Sequence, residues 1–203
     1  MPRGARSLVV AAAAVLALAG CGSTVEGTAA APSSNPSAQS DLRPPVSATA
    51  TEPTTPVAVS VDGAQAPIDA VATDSQGALY PPTDVNRLGW WVDSALPGSG
   101  AGSVVVTGHV DDARQGAGYA KRFSGLARGD EVTLTGKDGA AVRYRVTRTA
   151  SVGKGVLPTD DLNRLDGPET LILVTCGGKF IGPPMGYENN DLVYAERALP
   201  VRR

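Results

Sequence analysis

The chain has 203 residues, enough for one compact domain with tails. Eighteen Lys and Arg against 20 Asp and Glu leave a net charge of -2, which excludes the basic excess a nucleic-acid-binding domain carries, so no nucleic-acid partner is expected. With one His, a multi-histidine metal site is impossible, and neither a metal nor another cofactor is expected.

The N-terminal stretch opens with Arg3 and Arg6 and continues as an apolar run over residues 8–19. That is a charged n-region and a short h-region, below the roughly 20 residues needed to span a bilayer. It ends in Leu18-Ala19-Gly20-Cys21, which resembles the bacterial lipobox, where the Cys sulfur receives a lipid before cleavage on its N-terminal side. Residues 1–20 are therefore expected to be a lipoprotein signal peptide, with Cys21 the lipidated mature N-terminus. Residues 21–56 are dominated by Ser, Thr, Ala and Pro, including Pro32, Pro36, Pro44, Pro45 and Pro53. Such a segment cannot bury enough apolar surface to offset its ordering entropy and reads as a disordered tether. These features place the protein on the outer face of a bacterial cell membrane, held there by lipid.

Residues 57–203 read as the folded domain. With 24 Gly, 16 Pro and 4% aromatics, the balance favours a turn-rich β domain. Runs at 57–61 and 68–71 flank the hairpin signal Asp62-Gly63. Residues 103–107 form an apolar strand. Residues 131–135 and 142–146 alternate apolar with polar and are joined through Lys137-Asp138-Gly139. Residues 171–175 and 191–195 complete the strand set, and residues 160–165 suit a short helix capped by Thr159 or Asp160. In Arg87-Leu-Gly-Trp-Trp91 the adjacent aromatics face opposite sides of a strand, one to the core and one to a surface or groove. The expected class is all-β, a barrel or sandwich.

The chemistry gathers at two strand ends. Leu171-Ile-Leu-Val-Thr-Cys176-Gly-Gly178 puts a thiol after an apolar strand, followed by two glycines that would let backbone approach a ligand. Val104-Val-Val-Thr-Gly-His109 does the same for the lone imidazole. With Cys21 assigned to lipid, Cys176 is left without a disulfide partner. A thiol and an imidazole so placed suit a nucleophile and its proton partner, or a buried inert Cys and a loop His. An ordinary thiol is only about 3% ionised at pH 7, so a neighbouring imidazolium would help. Asp111 and Asp112 beside His109 read as a solvated loop whose charge would raise the imidazole pKa.

Thr107-Gly-His109 together with Thr175-Cys176 resembles the sortases, the cysteine transpeptidases of Gram-positive bacterial surfaces. Arg87-Leu-Gly-Trp-Trp91, Pro97-Gly98, Gly108-His-Val-Asp111, Phe123-Ser-Gly-Leu126, Gly129-Asp-Glu-Val132 and Val174-Thr-Cys-Gly-Gly178, in that order, resemble the actinobacterial class F sortases. The resemblance implies a sortase-like barrel of about eight strands with short connecting helices. It implies that Cys176 attacks the carbonyl of a sorting-signal peptide to form a thioester. His109 would then protonate the departing amine and activate an amine acceptor of the cell envelope, or water. Sortases also supply an Arg in or just before the last strand, to steady substrate and oxyanion. Here Glu188 or Asn190 falls at that place, and Asn190 could donate an amide hydrogen bond. Lys179, Arg122, Arg143 and Arg145 are other candidates for the missing cation. An L,D-transpeptidase would place His and Gly before the Cys, whereas Thr175 stands there. The rival from another class is a non-catalytic lipoprotein using the sortase barrel as a peptide-binding module, which would need neither Cys176 nor His109.

Overall fold

The computed structural model describes residues 52–198. The expected signal peptide (1–20), Cys21 and all of the tether but its last few residues lie outside the described residues. Chain order begins with β1 (Pro56–Val61) and β2 (Ala64–Val71), paired antiparallel through Asp62 and Gly63. Both turn residues have positive φ, 51° and 76°, as a tight primed hairpin turn requires. Upstream of β1, Thr54 is already buried. Its N–H donates to the Pro97 carbonyl at 3.0 Å and its hydroxyl to Asp138 at 2.8 Å, so fixed chain begins before Val57.

β3 (Leu88–Trp91) is a four-residue strand parallel to β2, and β4 (Ser103–Gly108) runs antiparallel to it. Leu88 and Trp90 fill the core, while Trp91 turns to a surface groove. Beyond β4, β5 (Asp111–Asp112) and β6 (Gly116–Ala117) make a separate two-stranded ladder, followed by a 3-10 helix, Tyr119–Gly125. Tyr119, Ala120 and Phe123 of that helix are buried. The Tyr119 hydroxyl accepts from the Val61 N–H at 3.1 Å and donates to the Ala64 carbonyl at 2.7 Å, which fastens the helix to the β1–β2 turn.

The second half supplies the long strands: β7 (Glu131–Gly136), β8 (Ala141–Gly153), β9 (Thr170–Gly182) and β10 (Gly186–Arg197), with a single helical turn, α1 (Thr159–Leu162), between β8 and β9. Eight strands close into a barrel in the order β1-β2-β3-β4-β9-β10-β8-β7. Closure removes the exposed edges an open sheet of this kind would carry. In β8, Val142, Tyr144 and Val146 face inward while Arg143 and Arg145 face solvent, the alternation expected of a half-buried strand. All six residues of β4 are buried instead, because α1 covers its outer side and Ser103 Oγ donates to the Asp161 carbonyl at 2.6 Å. On the outer face of β9 and β10 a small second cluster of Ile172, Leu192 and Tyr194 packs under Leu157 and Leu162.

Three details differ from the sequence expectation. The strands around residues 146, 175 and 191 extend well beyond their apolar runs, since barrel hydrogen bonding carries polar and glycine residues along. Cys176 consequently sits within β9 rather than at its end. The helical turn stops at Leu162 and is preceded by Pro158, with no side-chain cap from Thr159 or Asp160.

Candidate active site

β4 and β9 are parallel neighbours, with Val104 opposite Leu171 and Gly108 opposite Thr175 at the last pair of the ladder. The next residue on each strand is His109 and Cys176. Thr175 Oγ1 donates to the Gly108 carbonyl at 2.9 Å in the buried base of the site, tying the two strands directly beneath the pair. Both side chains line one groove of about 720 Å³, walled on its apolar side by Leu79, Tyr80, Trp91, Val105, Leu157, Leu162 and Val174. They also share an outward hollow of about 260 Å³ with Phe180, Met185 and Tyr187. An open groove meeting a half-buried thiol and imidazole can take an extended peptide past a nucleophile.

The flanking glycines do something other than receive a ligand. A Cβ at Gly108 would stand 2.3 Å from Leu88 Cδ2 and 2.8 Å from Ala120 Cβ. One at Gly177 would stand 2.1 Å from the Asp191 carboxyl carbon. The space beside each strand is taken by the protein's own packing, and close internal approach is the physical reason for both residues.

Of the two residues expected at the arginine position, Asn190 is the direct cross-strand partner of Cys176 and lines the same groove. Residues so opposed in an antiparallel pair face the same side. Glu188 instead accepts the Lys179 N–H at 3.0 Å. None of the four cations considered from sequence lines the groove. Arg145 pairs with Glu131, Arg122 stacks over Tyr119, and Arg143 and Lys179 are exposed. The cation that does reach the thiol is Lys154, whose Nζ donates to Cys176 Sγ at 3.1 Å. It follows Gly153 at the end of β8, and its N–H donates to the Glu188 carbonyl at 3.1 Å. The apolar alternation stops at Val146, seven residues before β8 ends, so no periodic signal leads to Lys154. The visible signal was a Lys between two glycines, Gly153-Lys154-Gly155.

The acidic pair is committed to its own loop. Asp112 accepts the N–H groups of Arg114 and Gln115 at 2.8 and 3.0 Å, which holds its carboxyl below the usual range. Asp111 accepts the Tyr187 hydroxyl, which pushes the phenol pKa up. Among the described residues no group of three or more potential metal ligands is present. His109 is held below its ordinary 6.5: burial dominates, Asp112 and Asp111 oppose it, and the Lys154 charge adds to it. The expected upward push from the acidic pair exists, but desolvation outweighs it.

Because His109 is the only His, its proton NMR titration is unambiguous. A midpoint below 6.5 is expected, falling further in Asp112→Asn, where a charge favouring imidazolium is removed. A midpoint above 6.5 would contradict the dominance of burial. The depressed value also means that the neutral ring contributes stability above the unfolded pKa, and that this contribution is lost as pH falls through the folded one.

A Sortase domain family model matches residues 59–198, well over half of the chain. No curated protein matches the sequence. Among solved structures, sortase A from Corynebacterium diphtheriae is similar at 22% identity and a TM-score of 0.55, covering 72% of this chain and 62% of that one. This chain thus spans less than two thirds of that protein's length. Sortase C-1 from Actinomyces oris is similar at 22% identity, a TM-score of 0.54, and coverages of 70% and 72%. Streptococcus agalactiae sortase C1, in complex with MTSET, gives 19%, 0.56, 71% and 69%. The structural likenesses carry the barrel fold, the domain match covers the barrel and its groove together, and on that match the chain belongs to the sortase family.

Proposed function

We propose that this chain is a sortase-type cysteine transpeptidase, with Cys176 as nucleophile and His109 as its acid and base. The observation that carries the proposal is the placement of these two side chains one residue beyond the tied Gly108–Thr175 pair, at the head of an apolar groove. Sγ attacks the peptide carbonyl as a thiolate, the C–N bond breaks, and the amine leaves with a proton from the imidazolium of His109. The neutral ring then takes a proton from the acceptor, an envelope amine or water, as it attacks the thioester, and the C–S bond breaks to restore the thiolate beside the imidazolium. With the imidazole pKa depressed, the imidazolium that acylation needs is a minority form at neutral pH. The substrate is a sorting-signal peptide of exported proteins.

The finer assignment to class F rests on the ordered sequence blocks from Arg87 to Gly178. Localisation at the outer face of the cell membrane, through lipid on Cys21, rests on the charged start, the apolar run and Leu18-Ala-Gly-Cys21. Cys21→Ser should leave the precursor uncleaved; normal maturation and membrane retention of that variant would remove the lipid anchor from the proposal.

Incubation with a sorting-signal peptide pool and hydroxylamine tests the chemistry. A hydroxamate of the N-terminal peptide fragment is expected, because the thioester is captured by the small amine. The neutral Asn190 favours the rival peptide-binding module. Peptide binding with no hydroxamate from the wild-type protein would establish that rival instead.

A further inference from the structure

We propose that Lys154 is the anion-holding group of the Cys176 site: its ammonium faces the negative charge that develops at the reacting atoms. The inference deepens the reading of the groove as an acyl-transfer centre and rests on it for its chemical consequence. Its structural core stands separately. Nζ lies 3.1 Å from Sγ, so any acyl group bonded to that sulfur is formed beside an ammonium with three N–H donors.

No other Lys or Arg lines the groove or the outward hollow that Cys176 shares, among the described residues. The strand partner directly opposite the thiol, Asn190, is neutral. A cation must therefore arrive from elsewhere if the site is to hold negative charge, and the topology supplies one. In the order β9-β10-β8, Val152 pairs with Asn190 and Asn190 with Cys176. A long side chain leaving the turn just after Gly153 crosses β10 to reach β9. An Arg on β10 would present a planar fork from the adjacent strand, whereas Lys154 offers a compact point charge from two strands away.

During acylation the Sγ–C bond forms and the carbonyl electron pair moves onto oxygen, giving a tetrahedral oxyanion. Lys154 donates hydrogen bonds to that oxygen and keeps its proton. Collapse breaks the C–N bond, and the leaving amine takes its proton from His109. Lys154 is thus an electrostatic partner throughout and never an acid, and a donor so placed works best at about 2.7–3.1 Å from the oxyanion.

The test compares full-length wild type with Lys154→Met and Lys154→Arg. The first readout needs no peptide substrate: alkylation rates of Cys176 with anionic iodoacetate and neutral iodoacetamide, quantified on the Cys176 peptide by mass spectrometry. The iodoacetate-to-iodoacetamide rate ratio should fall roughly tenfold in Lys154→Met, the scale of one nearby charge under partial screening, and hold in Lys154→Arg. The second readout is hydroxamate formation, where Lys154→Met should lose about 10²–10³-fold in kcat with a smaller change in KM, and Lys154→Arg should recover most of it. The His109 NMR midpoint should rise in Lys154→Met, because a cation that disfavours imidazolium has gone. A midpoint that rises yet stays below the ordinary 6.5 also shows the variant to be folded, because burial still depresses it.

An unchanged alkylation ratio in folded Lys154→Met overturns the inference whether or not the protein is a transpeptidase. Wild-type kcat in that variant overturns the catalytic role while leaving the sortase reading intact. A wild type that yields no hydroxamate but shows the tenfold ratio change defeats the transpeptidase reading and leaves the anion site standing.

Discussion

Cys176→Ala is expected to lose hydroxamate and transpeptidation product completely. Replacement removes the one thiol that lines the groove among the described residues, and the hydroxyl of neighbouring Thr175 is buried and donates to Gly108. His109→Ala should fall by about 10²–10⁴-fold, the usual worth of a positioned acid and base, and no second imidazole exists to substitute for it. Asn190→Ala should fall less than either, because a neutral amide gives a weaker hydrogen bond to an oxyanion than a charged donor does. Asn190→Arg should keep or raise the rate. Peptide cleavage at wild-type rate in Cys176→Ala would end the nucleophile assignment.

The second large effect concerns stability. Glu169 is 3% exposed, and its carboxylate accepts from the N–H groups of Gly98 and Gly100 at 2.9 and 2.6 Å and from the Tyr144 hydroxyl at 2.5 Å. Arg197 stands at 3.9 Å. The Tyr144 pKa is pushed far up, by burial first and by the Glu169 charge second, so its hydroxyl stays protonated and donates. One side chain thus stitches the Pro97–Gly100 turn, β8 and β10 to the start of β9. Glu169→Leu strands three donors and a guanidinium and is expected to cost about 3–5 kcal/mol, a large part of a typical domain's stability. Tm should fall by roughly 10 °C in a thermal melt. Glu169→Gln keeps one acceptor oxygen and should lose about 1–3 kcal/mol. A Leu variant melting within 2 °C of wild type, roughly 1 kcal/mol for a chain of this size, would show that the network is dispensable.

The barrel was legible where physics writes in short range. Alternation at Val142, Tyr144 and Val146 and the Asp62-Gly63 turn need only local rules, and the structure follows them. The neighbouring placement of Cys176 and His109 was readable because each follows an apolar run, and those two runs, residues 103–108 of β4 and 170–175 of β9, pair in parallel. β3 was legible through its adjacent tryptophans, one to the core and one to the groove, but its parallel pairing with β2 is a tertiary arrangement with no local signal. Lys154 was hidden for the same reason. Its position depends on β8 running on through a bulge at Thr147 to Arg148 and Thr149, which have no apolar alternation and pair with Tyr194 and Val193 of β10. The Gly residues beside the site were recognised, but their purpose was not, because the side chains that crowd them come from β3, the 3-10 helix and β10.

The parallel pairing of β4 with β9 also has a kinetic meaning. Those strands are separated in sequence by β5 to β8 and α1, so their ladder closes one of the longest loops in the domain. Loop-closure entropy opposes such pairing until much of the intervening chain is in place, which makes it slow and late. The lone thiol and the lone imidazole therefore meet only as the barrel shuts. Before that moment Cys176 is an ordinary solvent-facing thiol in an unfinished chain, and the assembled site is itself a report that folding is complete.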